Sequence, residues 1–300
     1  EYSYTWYTVF IGIIYHLFGI NRYIVSYINI IFASLSAILL LRIALNRRYT
    51  YFNAGLISLG FLYFPNLLLW TADSRKEALL IFVCFVCWYT VQRFIMNAAQ
   101  KKALAFDNII RILFVCLLIW FCTIIRIYMF APLAAGIIAS QLLLFKKTRA
   151  RQGILFAAAV FIISFIIFFA TVNPLMHDYH AVQFPDKQTG SMAEDIGSKM
   201  DRILSIVSDR NIIVSIVNYL LLPYPGDLDI SDIEGNSMAE FVENIDMLIW
   251  YACLLLMVTG IYSAFKQKDC CFTGILAFIA AYVLINALVV ENVADTILRY

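Results

Sequence analysis

The chain has 300 residues, 63% of them hydrophobic and 14% charged, with a net charge of +2 at neutral pH, against roughly 45 to 50% apolar and roughly 25% charged in soluble domains. That balance excludes a soluble enzyme, and the lack of a Gly-rich phosphate loop, an HExxH pair, a nucleophile elbow or a basic aromatic groove excludes a nucleic-acid binder. The apolar runs are too long for barrel strands, and in lipid only helices and closed barrels satisfy the backbone, so the predicted fold class is all-α: a polytopic helical membrane protein, one domain over 1–300.

Residues 6–20 (WYTVFIGIIYHLFGI) are short, aromatic, interrupted by His16 and ended by Gly19. They predict a helix lying in or dipping into the outer interface, with a further span as the alternative. Runs at about 23–45, 51–70, 78–96, 109–125, 128–145 and 153–172 predict six transmembrane helices over 23–172, each near the ~20 residues a bilayer needs. Residues 173–246 form a long polar loop, inside which Met192 to Val217 has helical apolar spacing and Pro223, Pro225 and Gly226 break any helix. Spans at 247–265 and 270–290 bring the count to about eight, and 291–300 reads as an outer segment before a further span. The start without Met and the stop directly after a helix read as an internal fragment.

Charge sets the orientation. Arg47, Arg48, Arg93, Lys101, Lys102, Lys146, Lys147, Arg149, Arg151, Lys266 and Lys268 fall on alternate loops, which the positive-inside rule assigns to the cytoplasm. The 173–246 loop holds 13 of the 20 acidic residues and only four basic ones, so it lies outside. The turns at 71–77 and near Arg126, and the end at 291–300, share that side. The expected location is a bacterial inner membrane, multi-pass, with the functional face towards the periplasm or exterior.

On that face Trp70-Thr-Ala-Asp73-Ser-Arg75-Lys76-Glu77 is anomalous, because cations there oppose the orientation signal. Arg75 and Lys76 can grip a phosphate at the membrane surface, while Asp73 or Glu77 can hold those cations or bind a metal or a sugar hydroxyl. The plain alternative is a solvated loop with Glu77 complementing a helix dipole. Arg126 ends one span; an arginine at such depth is costly and either has a partner or snorkels to headgroups. With Arg299 at the same level, three outward turns present cations to one anionic headgroup. His177, Asp178 and His180 resemble a metal cluster but lack a third ligand at fixed spacing, so no metal site is assigned. Glu291 and Asp295 share a helix face. Cys84 and Cys87 have CxxC spacing but read as small apolar residues on a helix.

Several short motifs share a family likeness. Leu17-Phe-Gly19, Arg22 and Ile28-Asn29-Ile30, then Phe64-Pro65, then Trp70 to Glu77 with Ala78-Leu79-Leu80, resemble the passages of C-type (GT-C) multi-spanning glycosyltransferases that use polyprenyl-phosphate-linked sugars, the mannosyltransferase-like and aminoarabinose-transferase-like groups. Arg126 with Tyr128, Leu222-Pro223-Tyr224-Pro225 and Arg299-Tyr300 are similar to further outer-face elements of bacterial members. The resemblance implies an inverting sugar transfer to a glycan, lipid or protein acceptor in cell-envelope polysaccharide biosynthesis. A carboxylate deprotonates the acceptor hydroxyl, and cations stabilise the leaving phosphate. It implies Arg75, Lys76, Arg126 and Arg299 as lipid-phosphate contacts, with Trp70, Tyr128 and Tyr300 beside them, and Glu77 and Asp73 as supporting carboxylates. The family's catalytic acid usually lies in the first outer loop, just upstream of the segment matching residues 6–20; Glu1 is the only acid there in this chain, and no base is assigned. No cofactor is implied, although a divalent cation is compatible with the chemistry; the partners are the polyprenyl-phosphate sugar, its acceptor and membrane lipids, without nucleic acid. An O-antigen or exopolysaccharide polymerase is the alternative reading, and a transporter or flippase the second.

Overall fold

The computed structural model describes residues 5–47, 49–64, 67–68, 71, 76–99, 106–126, 129–148, 156, 158–163, 165–166, 216, 249, 261–262, 266 and 269–289. Among them there is no strand. Among the described residues seven helices have defined bounds, in chain order: α1 Thr5–Phe18, α2 Arg22–Asn46, α3 Tyr51–Leu62, α4 Glu77–Ala99, α5 Phe106–Ile125, α6 Phe130–Thr148 and α7 Cys270–Val289. Two of these are long and apolar enough to cross a membrane, over Tyr23–Asn46 and Glu77–Asn97. Residues 156, 158–163 and 165–166 are helical, within the run expected at 153–172. The loop at 173–246 and most of 247–265 lie outside the described residues.

Local chemistry sets the helix ends. Gly19 stops α1 with φ at +85° and its N–H on the Tyr15 carbonyl, a left-handed cap that favours glycine. Asn21 opens α2 by accepting from Tyr23 N at 3.0 Å, and Thr50 opens α3 by accepting from Asn53 N at 3.2 Å. The hydropathy run at 51–70 predicts a full span, yet α3 ends at Leu62, giving a rise of about 18 Å. Pro65 accounts for the break: it lacks an N–H and disfavours helical geometry at Phe64. Helical hydrogen bonding restarts beyond it, with Leu68 N on the Phe64 carbonyl.

Helix α4 is the hub, packing against α2, α5, α6 and α7. Its Leu79, Leu80, Val83, Cys87, Trp88, Val91 and Phe94 join Val115, Cys116, Ile119 and Ile125 of α5 and Leu133, Ile137 and Leu144 of α6 in one core. The helices are apolar all round but bury only one stripe each. On α5, Val115, Cys116, Ile119 and Cys122 face inward while Ile109, Leu113 and Leu117 are exposed, as are Ile38 of α2 and Leu56 of α3. Contiguous exposed apolar faces of this kind mark interaction with membrane or partner.

The most extensive helix pairing joins α6 and α7. It rests on Gly136 and Gly274: a Cβ on Gly136 would lie 2.6 Å from the Gly274 carbonyl oxygen, and one on Gly274 would lie 2.6 Å from Ser140 Cβ. Gly136 and Ser140 are one turn apart, the small-xxx-small spacing that lets backbones touch, and Trp88 of α4 covers the crossing edge-on to Phe278.

Polar contacts gather at two opposite ends of the bundle. At one, Arg47 after α2 pairs with Asp269 before α7, and Asp269 also accepts from Phe272 N at 3.0 Å to cap α7. Beside them Asn46 donates to Gln92 of α4 at 3.3 Å, and Gln92 donates to the Ile43 carbonyl at 3.2 Å. Phe94 stacks on Phe156 at this end, with ring centroids 4.0 Å apart. The other end carries the turns before α4 and after α5.

Candidate functional site

Lys76 sits on the turn before α4, its carbonyl accepting from Leu80 N at 3.0 Å, and Glu77 is the first residue of the helix. A carboxylate there complements the positive helix terminus. Arg126 follows α5, its N–H on the Cys122 carbonyl at 2.8 Å, so its guanidinium lies at a negative terminus. Because α4 and α5 run antiparallel, these termini coincide. Arg126 Nη2 forms an ion pair with Glu77 Oε1, the side chains only 15% and 17% exposed. The second carboxylate oxygen, Glu77 Oε2, is buried without a hydrogen-bond partner among the described residues.

Lys76 closes the cluster from the α4 side and is itself buried, 4% exposed. Desolvation, reinforced by the neighbouring Arg126 charge and opposed by Glu77, pushes its ammonium down to about 8. Tyr7 of α1 and Asn29 of α2 are also buried and share a side-chain hydrogen bond, with Glu77 close enough for its charge to act on the Tyr7 hydroxyl. Leu79, Leu80, Ile125 and Met129, near these residues in sequence, are buried in the apolar core. The site therefore combines two cationic groups, one carboxylate, a phenol and an amide at a largely buried helix end. Such a set can hold an anionic oxygen, and Lys76 can exchange a proton near neutral pH.

Two turns into α4, Cys84 Sγ lies 3.9 Å from Cys122 Sγ of α5. Both cysteines of the CxxC pair, Cys84 and Cys87, lie on α4, neither forms a disulfide, and no cluster of three metal-ligating residues occurs among the described residues.

Of the residues expected to form the site, the structure brings together Lys76, Glu77 and Arg126. Lys76 is buried in the bundle, where the sequence suggests a surface grip on a headgroup. Trp70, Asp73, Arg75, Tyr128, Arg299 and Tyr300 lie outside the described residues, as do His177, His180, Glu291, Asp295 and the Pro223–Gly226 stretch. Tyr7 and Asn29 enter the site without having been assigned a role from sequence. Asn29 carried a signal, a polar side chain midway along an apolar run; Tyr7, one of 18 tyrosines, did not.

Comparison with known proteins gives no match: no protein-family model, no curated protein and no solved structure matches the chain.

Proposed function

We propose that this chain is a multi-spanning membrane glycosyltransferase of about eight spans, with the Lys76–Glu77–Arg126 end facing the periplasm or exterior of a bacterial inner membrane. It transfers a sugar from a polyprenyl-phosphate donor to a glycan, lipid or protein acceptor. The observation that carries this reading is the burial of Lys76 and Arg126 around one carboxylate at a shared helix end. Buried charge in an apolar bundle is costly and marks a functional position by default, and cations outnumbering carboxylates suit a phosphate. Exposed apolar faces on α2, α3 and α5 support membrane embedding, and the motif order around Trp70–Glu77 supports the transferase class.

In this reading Lys76 and Arg126 hold the lipid phosphate, Arg75 and Arg299 add contacts from neighbouring outer turns, and Glu77 keeps Arg126 in place until the donor arrives. The test is sugar transfer from a labelled polyprenyl-phosphate donor by the full-length protein in vesicles. Arg75→Ala and Arg299→Ala should each reduce transfer while membrane insertion persists, and wild-type transfer by both would sink the shared phosphate site. Orientation is tested separately: a cysteine at Ser191 should react with an impermeant thiol reagent on intact cells, and labelling only after lysis would invert the topology.

A further inference from the structure

The seam between α4 and α5 holds a second pair of facing side chains besides Glu77 and Arg126. Cys84 of α4 and Cys122 of α5 have their sulfurs 3.9 Å apart, and both are free thiols. A disulfide bond is about 2.05 Å long, so about 2 Å separates this pair from bonding. Cys87 does not compete for Cys84 within α4: Cβ atoms three residues apart on a helix are about 5–6 Å apart, beyond the about 3.5–4.5 Å a disulfide spans. The two thiols differ in access. Cys84 is partly exposed, whereas Cys122 is fully enclosed. Cys84 follows Glu77 by seven residues, about 10 Å along the helix axis, inside the stretch Glu77–Asn97 that is long and apolar enough to cross a membrane. No group of three metal-ligating residues includes them among the described residues, and a thiolate–metal site buries charge in an apolar core where a disulfide is neutral.

We propose that Cys84 and Cys122 form a reversible disulfide between α4 and α5, made by a quinone dissolved in the bilayer. Both S–H bonds break and one S–S bond forms; the two electrons and two protons pass to the quinone, which leaves as the quinol. Cys84 is the thiol that the oxidant reaches, and Cys122 closes the bond from the enclosed side. The choice of a quinone rests on the membrane placement of α4, because a two-electron acceptor must dissolve in lipid to meet an apolar helix two turns from its end. Sugar transfer has no part in it. The bond joins residues 38 apart in sequence, and closing a loop of that size restricts the unfolded chain and so favours the folded bundle. It also ties α4 to α5 two turns from Glu77 and one turn from Arg126, holding together the helix ends that carry the ion pair.

The test is thiol counting by alkylation and mass spectrometry on the full-length protein in nanodiscs, first reduced with dithiothreitol and then exposed to a short-chain ubiquinone in the bilayer or to oxidised glutathione in the water. The quinone should remove two alkylatable thiols per chain and yield one cross-linked peptide pair joining Cys84 to Cys122, and dithiothreitol should restore both thiols. The oxidised protein should melt higher than the reduced one by roughly 5–10 °C. Cys122→Ala should leave Cys84 free after the same treatment, while Cys87→Ala should lose two thiols as the wild-type protein does. The proposal is overturned if the quinone removes no thiols, if Cys84 is found joined to another cysteine, or if Cys122→Ala still loses two. Oxidation by glutathione disulfide as fast as by the quinone overturns the lipid-side oxidant, and equal melting temperatures of the two forms overturn the tie between the helices. Should Cys122→Ala not fold, the cross-link map of the wild-type protein decides alone.

Discussion

Arg126 at the end of α5 and Glu77 at the start of α4, 49 residues apart in sequence, are joined by a largely buried ion pair. Breaking one side of such a pair strands a charge in apolar surroundings. Glu77→Leu should therefore destabilise the protein by about 3–5 kcal/mol. Arg126→Met should do likewise, while the double variant should recover most of the loss, since a well-packed apolar pair is often neutral. Thermal unfolding of all four proteins in detergent gives the cycle; additive losses would show that the two side chains do not interact.

Lys76 makes a prediction with a pH sign. Its folded value, about 8, lies below the ordinary 10.5, so folding disfavours the charged form. That cost is full below about pH 8, shrinks as pH rises and vanishes above the unfolded value. Lys76→Met should therefore unfold at higher temperature than the wild-type protein at about pH 7, by an amount on the order of 2 kcal/mol, and the gap should narrow by about pH 10. Melting curves at both pH values check it, and a gap independent of pH would show that packing alone is responsible.

The contact of α6 with α7 predicts a contrast between glycines. Gly136→Ala drives a Cβ against the Gly274 carbonyl, and overpacking of this kind costs about 1–3 kcal/mol. Gly12→Ala, in α1 with nothing within 4 Å, should be neutral or stabilising by about 0.5–1 kcal/mol through helix propensity. Parallel melting curves would read both.

Asp269 has two tasks that substitutions separate. Asp269→Asn keeps an oxygen for Phe272 N but loses the charge that pairs with Arg47, whereas Asp269→Ala loses both. The alanine variant should be the less stable by about 1 kcal/mol, the usual worth of a helix cap. Equal melting temperatures would mean that the cap contributes nothing.

Much of the helical framework was legible as hydropathy, because a run of about 20 apolar residues bounded by charge leaves the backbone little but a helix. The starts of α2, α4 and α7 fall within one residue of those expected from Tyr23, Ala78 and Cys270. The end of α3 was misjudged because Leu67 to Trp70 remain apolar beyond Pro65, and hydropathy is blind to a missing N–H. At the site, Glu77 and Arg126 each stood out as charges in apolar surroundings, but their pairing depends on which helix termini meet, and local sequence does not encode that. Lys76 was read as exposed because turn residues usually are; only the packing of α4 against α5 shows it buried.

The weld of Gly136 on Gly274 fixes two points of the chain that are 138 residues apart in sequence. Once two helices are seated by contact of their own backbones, the chain between them has clamped ends. The entropy of closing such a loop rises only with the logarithm of its length, about 0.6 kcal/mol for each doubling. A change in the length of chain between these two points is therefore cheap in closure entropy beside the about 1–3 kcal/mol that one added methyl at the weld costs.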